Sequence, residues 1–306
     1  MTISEKTKKQ IRVNLTGYLL ILPLLIGLTI FTLYPLIVSL INSFFLDYDG
    51  SAAYSEYVFG FGNYIKAFTG YESKIVMKAA FNTFSYTLIM VPLGMVLSFI
   101  VALFLNQSLK GIGAFRLIYY IPCLIPAVVG AMVYRYIFNP SYGLMNTIFS
   151  AVGLPQSKFF DEPNYTAIVT YMFKTLFGVG GSMLIWLAAL KSVPRTYYEA
   201  SRIEGGGYFY SLFRITIPLC TPYIFYLLIT NVIANLQICG DAYMISSTGG
   251  VNNSLLFFGL HIYNTFMTNL NYGYSSALAY LMFIVIAALT LVLFRFNKYV
   301  YYEGDD

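Results

Sequence analysis

Six long apolar blocks decide the solvent of this chain before any motif is considered. They run from about Gly17 to Phe45, Met77 to Asn106, Leu117 to Phe138, Tyr165 to Leu190, Leu219 to Ser246 and Tyr274 to Phe296. A helix needs about 20 residues to cross the hydrocarbon layer, and each block reaches that length. Only 10% of the 306 residues are charged, and 58% are hydrophobic. A soluble domain carries roughly 25% charge, so this chain needs lipid around it. The spans are expected to be helices, because a segment in lipid must satisfy its own backbone hydrogen bonds. Pro23, Pro35, Pro92, Pro122 and Pro126 lie within the blocks and predict either kinks or plain packing irregularities. The first block follows Lys6, Lys8, Lys9 and Arg12 and shows no small-residue cleavage site. It is expected to stay as a span rather than leave as a signal peptide.

Lys and Arg beside the spans set the orientation. Twelve of the 18 cluster on one side: the N-terminus, the Lys110–Arg116 turn, the Lys191–Arg214 loop, Arg295 and Lys298. That side is expected to be cytoplasmic, with a tail at 1–16, a permease domain at 17–298 and a tail at 299–306. The segment Ser247–Gly273 on the other side carries no Lys, Arg, Asp or Glu, which leaves open a re-entrant loop, a docking surface or a packed cap. Net charge is +5, without basic residues interleaved with aromatics, so nucleic-acid binding is not expected. Cys123, Cys220 and Cys239 show no CxxC pair or metal spacing and read as packing residues. His261 is the single histidine and has no evident catalytic partner. No metal site and no enzyme activity are expected.

The stretch Lys191–Arg214 is too long and too patterned for a tether. Pro194 suits a helix start, and Tyr197, Ala200, Ser201 and Glu204 follow at helical spacing. Gly205, Gly206 and Gly207 stop that helix. A second segment places Tyr208, Leu212 and Ile215 on one face. The glycines lack the Lys-Ser/Thr of a phosphate-binding loop, so ATP is not expected to bind here. A helix pair at the membrane surface has the shape of a mechanical coupling element.

The residues sharpen that reading. Glu199-Ala200-Ser201, three residues, Gly205, nine residues and Ile215-Thr216-Ile217-Pro218 resemble the EAA motif of ABC importer permeases, with Ser201 and Ile217 as conservative departures. "GYLLILPLLIGLTIFTLYPLIVSLINSF", "FGFGNYIKAF", "FRLIYYIPCLIPAVVGAMVYRYIFNPSYGLMN" and "GYSSALAYLMF" extend the resemblance over about residues 17 to 298, to the maltose and multiple-sugar, F-like type I permeases. The resemblance implies an all-α, six-span membrane protein with cytoplasmic coupling helices, in a bacterial cell membrane. It implies a second homologous permease, an ABC ATPase dimer holding ATP and Mg, an extracellular solute-binding protein and a sugar as cargo. Glu199, Ala200, Ser201, Gly205, Ile215 and Pro218 would then form the ATPase-coupling set. A permease for another cargo, or an ion-coupled carrier, is the alternative; the latter favours inverted repeats and several midplane carboxylates, whereas this chain shows no obvious repeat and almost no acidic residue within a span.

Polar residues inside spans are costly and mark function. Span four has Lys174, and span five has Asn231, Asn235 and Gln237, with Asp241 further outward. The resemblance adds Phe177, Gly178 and Gly181 to a sugar path near mid-membrane. Three roles stay open for Lys174: a snorkelling lysine, a partner for Asp241, or a cation reading an acidic sugar.

Overall fold

The computed structural model describes residues 5–107, 110–163, 165–297 and 300, and among them the side chains of Asn14 and of residues from Thr16 onward. The side chains of Lys6, Lys8, Lys9 and Arg12, and the tail apart from Val300, lie outside that description, as does Lys298. Helices dominate, and the first block is one rod. α1 (Glu5–Leu28) passes through a π-turn (Thr29–Leu33) into α2 (Tyr34–Ser43). The turn stands just ahead of Pro35, whose missing N–H deprives a carbonyl one turn back of its partner, and the ladder shifts there. Helix therefore runs on both sides of Gly17, and the expected boundary at 16 is no backbone break. No residue in the apolar window of Thr16–Ser43 is buried within the chain.

α3 (Gly62–Phe68) leads into α4 (Gly70–Leu105), which starts seven residues before the apolar block it contains. Its 36 residues reach about 54 Å. The third block departs most from expectation. It is two helices, α5 (Ile112–Leu124) and α6 (Ala127–Ile137), bent by 97°. Ile125 is extended at ψ 127 and Pro126 caps α6, because the ring of a proline drives the preceding residue out of the helical region. α7 (Leu144–Ala151) follows.

The fourth block divides into α8 (Tyr165–Leu176) and α9 (Gly180–Ser192), bent by 45°. Gly180 lets α5 pass, since a Cβ there would strike the Tyr119 carbonyl. The loop region comprises α10 (Arg195–Ile203), α11 (Tyr208–Ser211), a π-turn (Leu212–Thr216) and α12 (Ile217–Leu219). As at Pro35, this π-turn precedes a proline, Pro218. The fifth block ends early: α13 (Thr221–Leu236) stops, 237–239 break the helix, and α14 (Gly240–Ile245) resumes it. α15 (Phe258–Met267) and α16 (Tyr272–Arg295) close the chain.

Two apolar cores stack along the bundle. One gathers Tyr86, Tyr171, Ile245, Phe257 and Leu260 from α4, α8, α14, α15 and the loop before it. The other, at the coupling-loop end, gathers Leu105, Met183, Trp186, Cys220 and Leu227 from α4, α9 and α13. Among the described buried residues of these two cores, α4 alone contributes to both. The breaks at 177–179 and 237–239 lie between them. The uncharged stretch at 247–273 is a packed cap: Asn82 of α4 donates to the carbonyls of Asn253 (2.8 Å) and Leu256 (3.0 Å), and Leu255, Phe257 and Leu260 are buried.

Candidate functional site

The coupling loop is closed by its glycines. Glu204 ends α10 and Gly205 takes φ +81, the left-handed region that disfavours a side chain. The Gly205 N–H donates to the Arg202 carbonyl at 3.1 Å, and the Gly206 N–H to the Ser201 carbonyl at 2.7 Å. This pair of bonds is a Schellman closure. It explains the interval in the motif, because the closure places the left-handed residue four positions after the residue whose carbonyl it captures. Gly206 is needed for approach, as a Cβ would meet the Ser201 hydroxyl.

Glu199 and Ala200 are exposed on α10, as are Gly205 and Pro218. Ser201 is not: it is 5% exposed, and its Oγ lies 3.1 Å from Ser211 Oγ. Its expected place at the ATPase-facing surface is corrected, since the helix phase that exposes Glu199 turns Ser201 toward the second helix. Tyr198 OH lies 2.9 Å from Thr216 Oγ1, and burial pushes the Tyr198 phenol up, which keeps it a neutral hydrogen-bonding group. Ile215 packs against the loop-end core. The loop is thus one stapled unit seated on that core.

The residues of the expected path do not form one cluster. Lys174, at the end of α8, pairs with Asp241 at the start of α14, and their side chains are 11% and 22% exposed. Tyr171 OH also donates to Asp241 Oδ2 at 2.7 Å, and Lys174 Nζ lies 4.8 Å from the Tyr171 ring centroid. Of the three roles left open, the geometry gives Lys174 the ion pair. Phe177 stacks edge-on with Phe173 at 5.1 Å and stays exposed on its other side. Gly178 lies in the break and Gly181 is open. Asn231 and Asn235 are half-buried and donate back to the carbonyls four residues earlier, at 2.7 Å each. Gln237 is exposed at the second break, in line with the exposed stripe of Tyr226, Thr230 and Ala234 on α13.

Sequence reasoning missed the frame around the ion pair. Tyr86 and Tyr171 meet edge-on at 5.4 Å, Phe257 closes against both, and Tyr86 OH donates to Thr175 Oγ1 at 2.9 Å. Tyrosines are abundant here, and no pattern singles these two out. The sequence offers Arg116 only as a charge, yet it donates to the Leu105 carbonyl at 2.6 and 3.1 Å and so caps the end of α4.

Known proteins resemble this chain along its length. A probable ABC transporter permease protein of Bacillus subtilis (strain 168), YesP, is 32% identical over 305 residues, covering 99% of this chain and 97% of its own. The trehalose/maltose transport system permease protein MalF of Thermococcus litoralis is 28% identical over 290 residues, covering 92% and 94%. Among solved structures, a chain of the bacterial alginate ABC transporter, crystallised with an alginate pentasaccharide-bound periplasmic protein, superposes with a TM-score of 0.82 at 20% identity, covering 96% of this chain and 98% of its own. No family model matches.

Proposed function

This chain belongs to the ABC transporter permeases, in their sugar-importing group, and from that premise we propose that it forms one half of a sugar or oligosaccharide path driven by a separate ATPase. The observation that carries the coupling part is the loop: Glu199 and Ala200 stand exposed while Ser201 ties its two helices together and Tyr198 and Ile215 pack the same loop on the core of α9 and α13. Force applied at Glu199 therefore enters the spans without a flexible tether. The Lys and Arg bias supports a cytoplasmic position for the loop and both termini. The ATPase dimer, holding ATP and Mg, sits below the loop, and a solute-binding protein delivers cargo at the opposite face. A second permease covers the exposed stripe of α13.

For cargo, Lys174 offers little net charge because Asp241 balances it. Recognition then rests on the amides of Asn231, Asn235 and Gln237 and on the open side of Phe177, groups suited to sugar hydroxyls and C–H faces. The 28% identical relative is named for trehalose and maltose, sugars of that kind. The test is co-expression with the ATPase and measurement of labelled-sugar uptake. Glu199→Arg is expected to abolish both ATPase co-purification and uptake. Retention of both would overturn the loop reading, and uptake persisting without any ATPase would point to an ion-coupled carrier.

A further inference from the structure

A cavity of about 780 Å³ opens on the side of the bundle between α4 and α16 and extends to Leu236 of α13; neither the residues of the loop nor those of the ion pair line it. Its walls are apolar, with Phe81, Phe84, Leu281 and Val285 among them. Two charged groups line it, Lys74 and Lys78, and no Asp or Glu does. Both lysines are exposed, and they stand four residues apart on α4, on one face of the helix. Glu72 precedes them by two residues and does not line the cavity. The described ion pairs of the chain are Lys66–Asp47 and Lys174–Asp241, and neither involves these lysines.

We propose that this cavity is a binding site for an anionic phospholipid, with the phosphate at Lys74 and Lys78 and one acyl chain laid along Phe81, Phe84 and Val285. Dimensions support it. From Lys74 to Phe84 is ten residues of helix, about 15 Å, which is half of a hydrocarbon core of about 30 Å. The site thus spans one leaflet, with charge at one end and apolar surface along the rest. A second protein helix would need no cations at the mouth, whereas a phosphate forms charge-assisted contacts with ammonium groups. The proposal depends on the chain being embedded in a bilayer and is independent of the cargo.

The experiment uses the full transporter, purified in detergent and titrated with phosphatidylglycerol or phosphatidylcholine of matched chains, with bound lipid counted by native mass spectrometry. Wild type is expected to bind phosphatidylglycerol more tightly, and Lys74→Gln with Lys78→Gln to lose that preference by about fivefold per lysine. Lys74→Arg with Lys78→Arg retains it, and Val285→Trp, which fills the cavity, weakens binding of both lipids. Basal ATPase activity equal to wild type certifies that each variant is folded; if the Gln pair fails that check, the Arg pair and Val285→Trp decide between them. Equal binding of the two lipids by wild type, or an unchanged preference in the Gln pair, would overturn the proposal. Cross-linking of a photoreactive group at Phe84 to another subunit instead of lipid would do so as well.

Discussion

Gly205 and Lys174 are each committed by geometry that a single position reveals. At Gly205 the backbone requires φ +81, and Gly205→Ala is expected to destabilise the loop by about 1–2 kcal/mol through left-handed strain. The measurement is the amount of ATPase retained on purification, which should fall, while Ala200→Gly, beside it on the exposed face, should lower helix stability by about 1 kcal/mol or less and leave the Schellman turn closed. At Lys174 the expectation concerns a pair. Lys174→Met or Asp241→Asn alone strands a mostly buried partner, a loss of roughly 3–5 kcal/mol for buried pairs. The double variant restores neutrality and should recover most of that loss in thermal unfolding. Additive effects would show that the two groups do not interact. The motif made Gly205 legible from sequence, because turn chemistry is local. The ion pair was one option among three, because its members are 67 positions apart and only the meeting of α8 and α14 selects it. Ser201 shows the limit of a motif: its position was legible, but which way it faces follows from helix phase against a second element.

Among elements, α4 does more than its composition announces. It was legible as a span, yet Asn82 and Thr83 within it hold a segment more than 170 residues away: Asn82 donates to two cap carbonyls, and Thr83 Oγ1 accepts the Phe258 N–H at 2.8 Å where α15 begins. An apolar run with two small polar residues gives no hint of that, since such residues also bond back to their own helix. Asn82→Leu should leave the carbonyls of Asn253 and Leu256 unpaired, at about 1–3 kcal/mol. Hydrogen exchange should then quicken over Gly249–Phe257 while α9 stays protected. Uniform loosening of both regions would refute the assignment of Asn82 to the cap. The third span teaches the same lesson for prolines. Pro122 and Pro126 were equally suspect from sequence, but the 97° bend is at Pro126, where Ile125 is free to extend between two separately packed helices. Pro122 stays inside α5.

Across the whole molecule, the two cores and the two breaks form one arrangement. α8 and α14 belong to the core far from the loop, α9 and α13 to the core beneath it, and the breaks at 177–179 and 237–239 let each pair follow its own core. The ion pair ties α8 to α14 just on the far side of both breaks, so those two segments move as a body. α4 alone runs unbroken through both cores among the elements that build them. Motion delivered through the loop therefore reaches the far half by three routes: along α4, across the 45° bend between α8 and α9, and through the break between α13 and α14. Rotation at that bend needs backbone freedom, which Gly178 supplies; helix there is disfavoured by about 1 kcal/mol relative to alanine. Gly178→Ala adds a Cβ at 3.3 Å from the Thr175 carbonyl and shifts the balance toward a continuous α8–α9 helix. The expected result is an assembly that still retains its ATPase, because the loop is untouched, but whose ATP hydrolysis no longer rises severalfold when loaded binding protein is added. Measuring basal and stimulated hydrolysis in the same preparation separates the two effects. Normal stimulation in Gly178→Ala would mean that α4 and the α13–α14 connection carry the coupling without the 177–179 break, which is then only a packing feature.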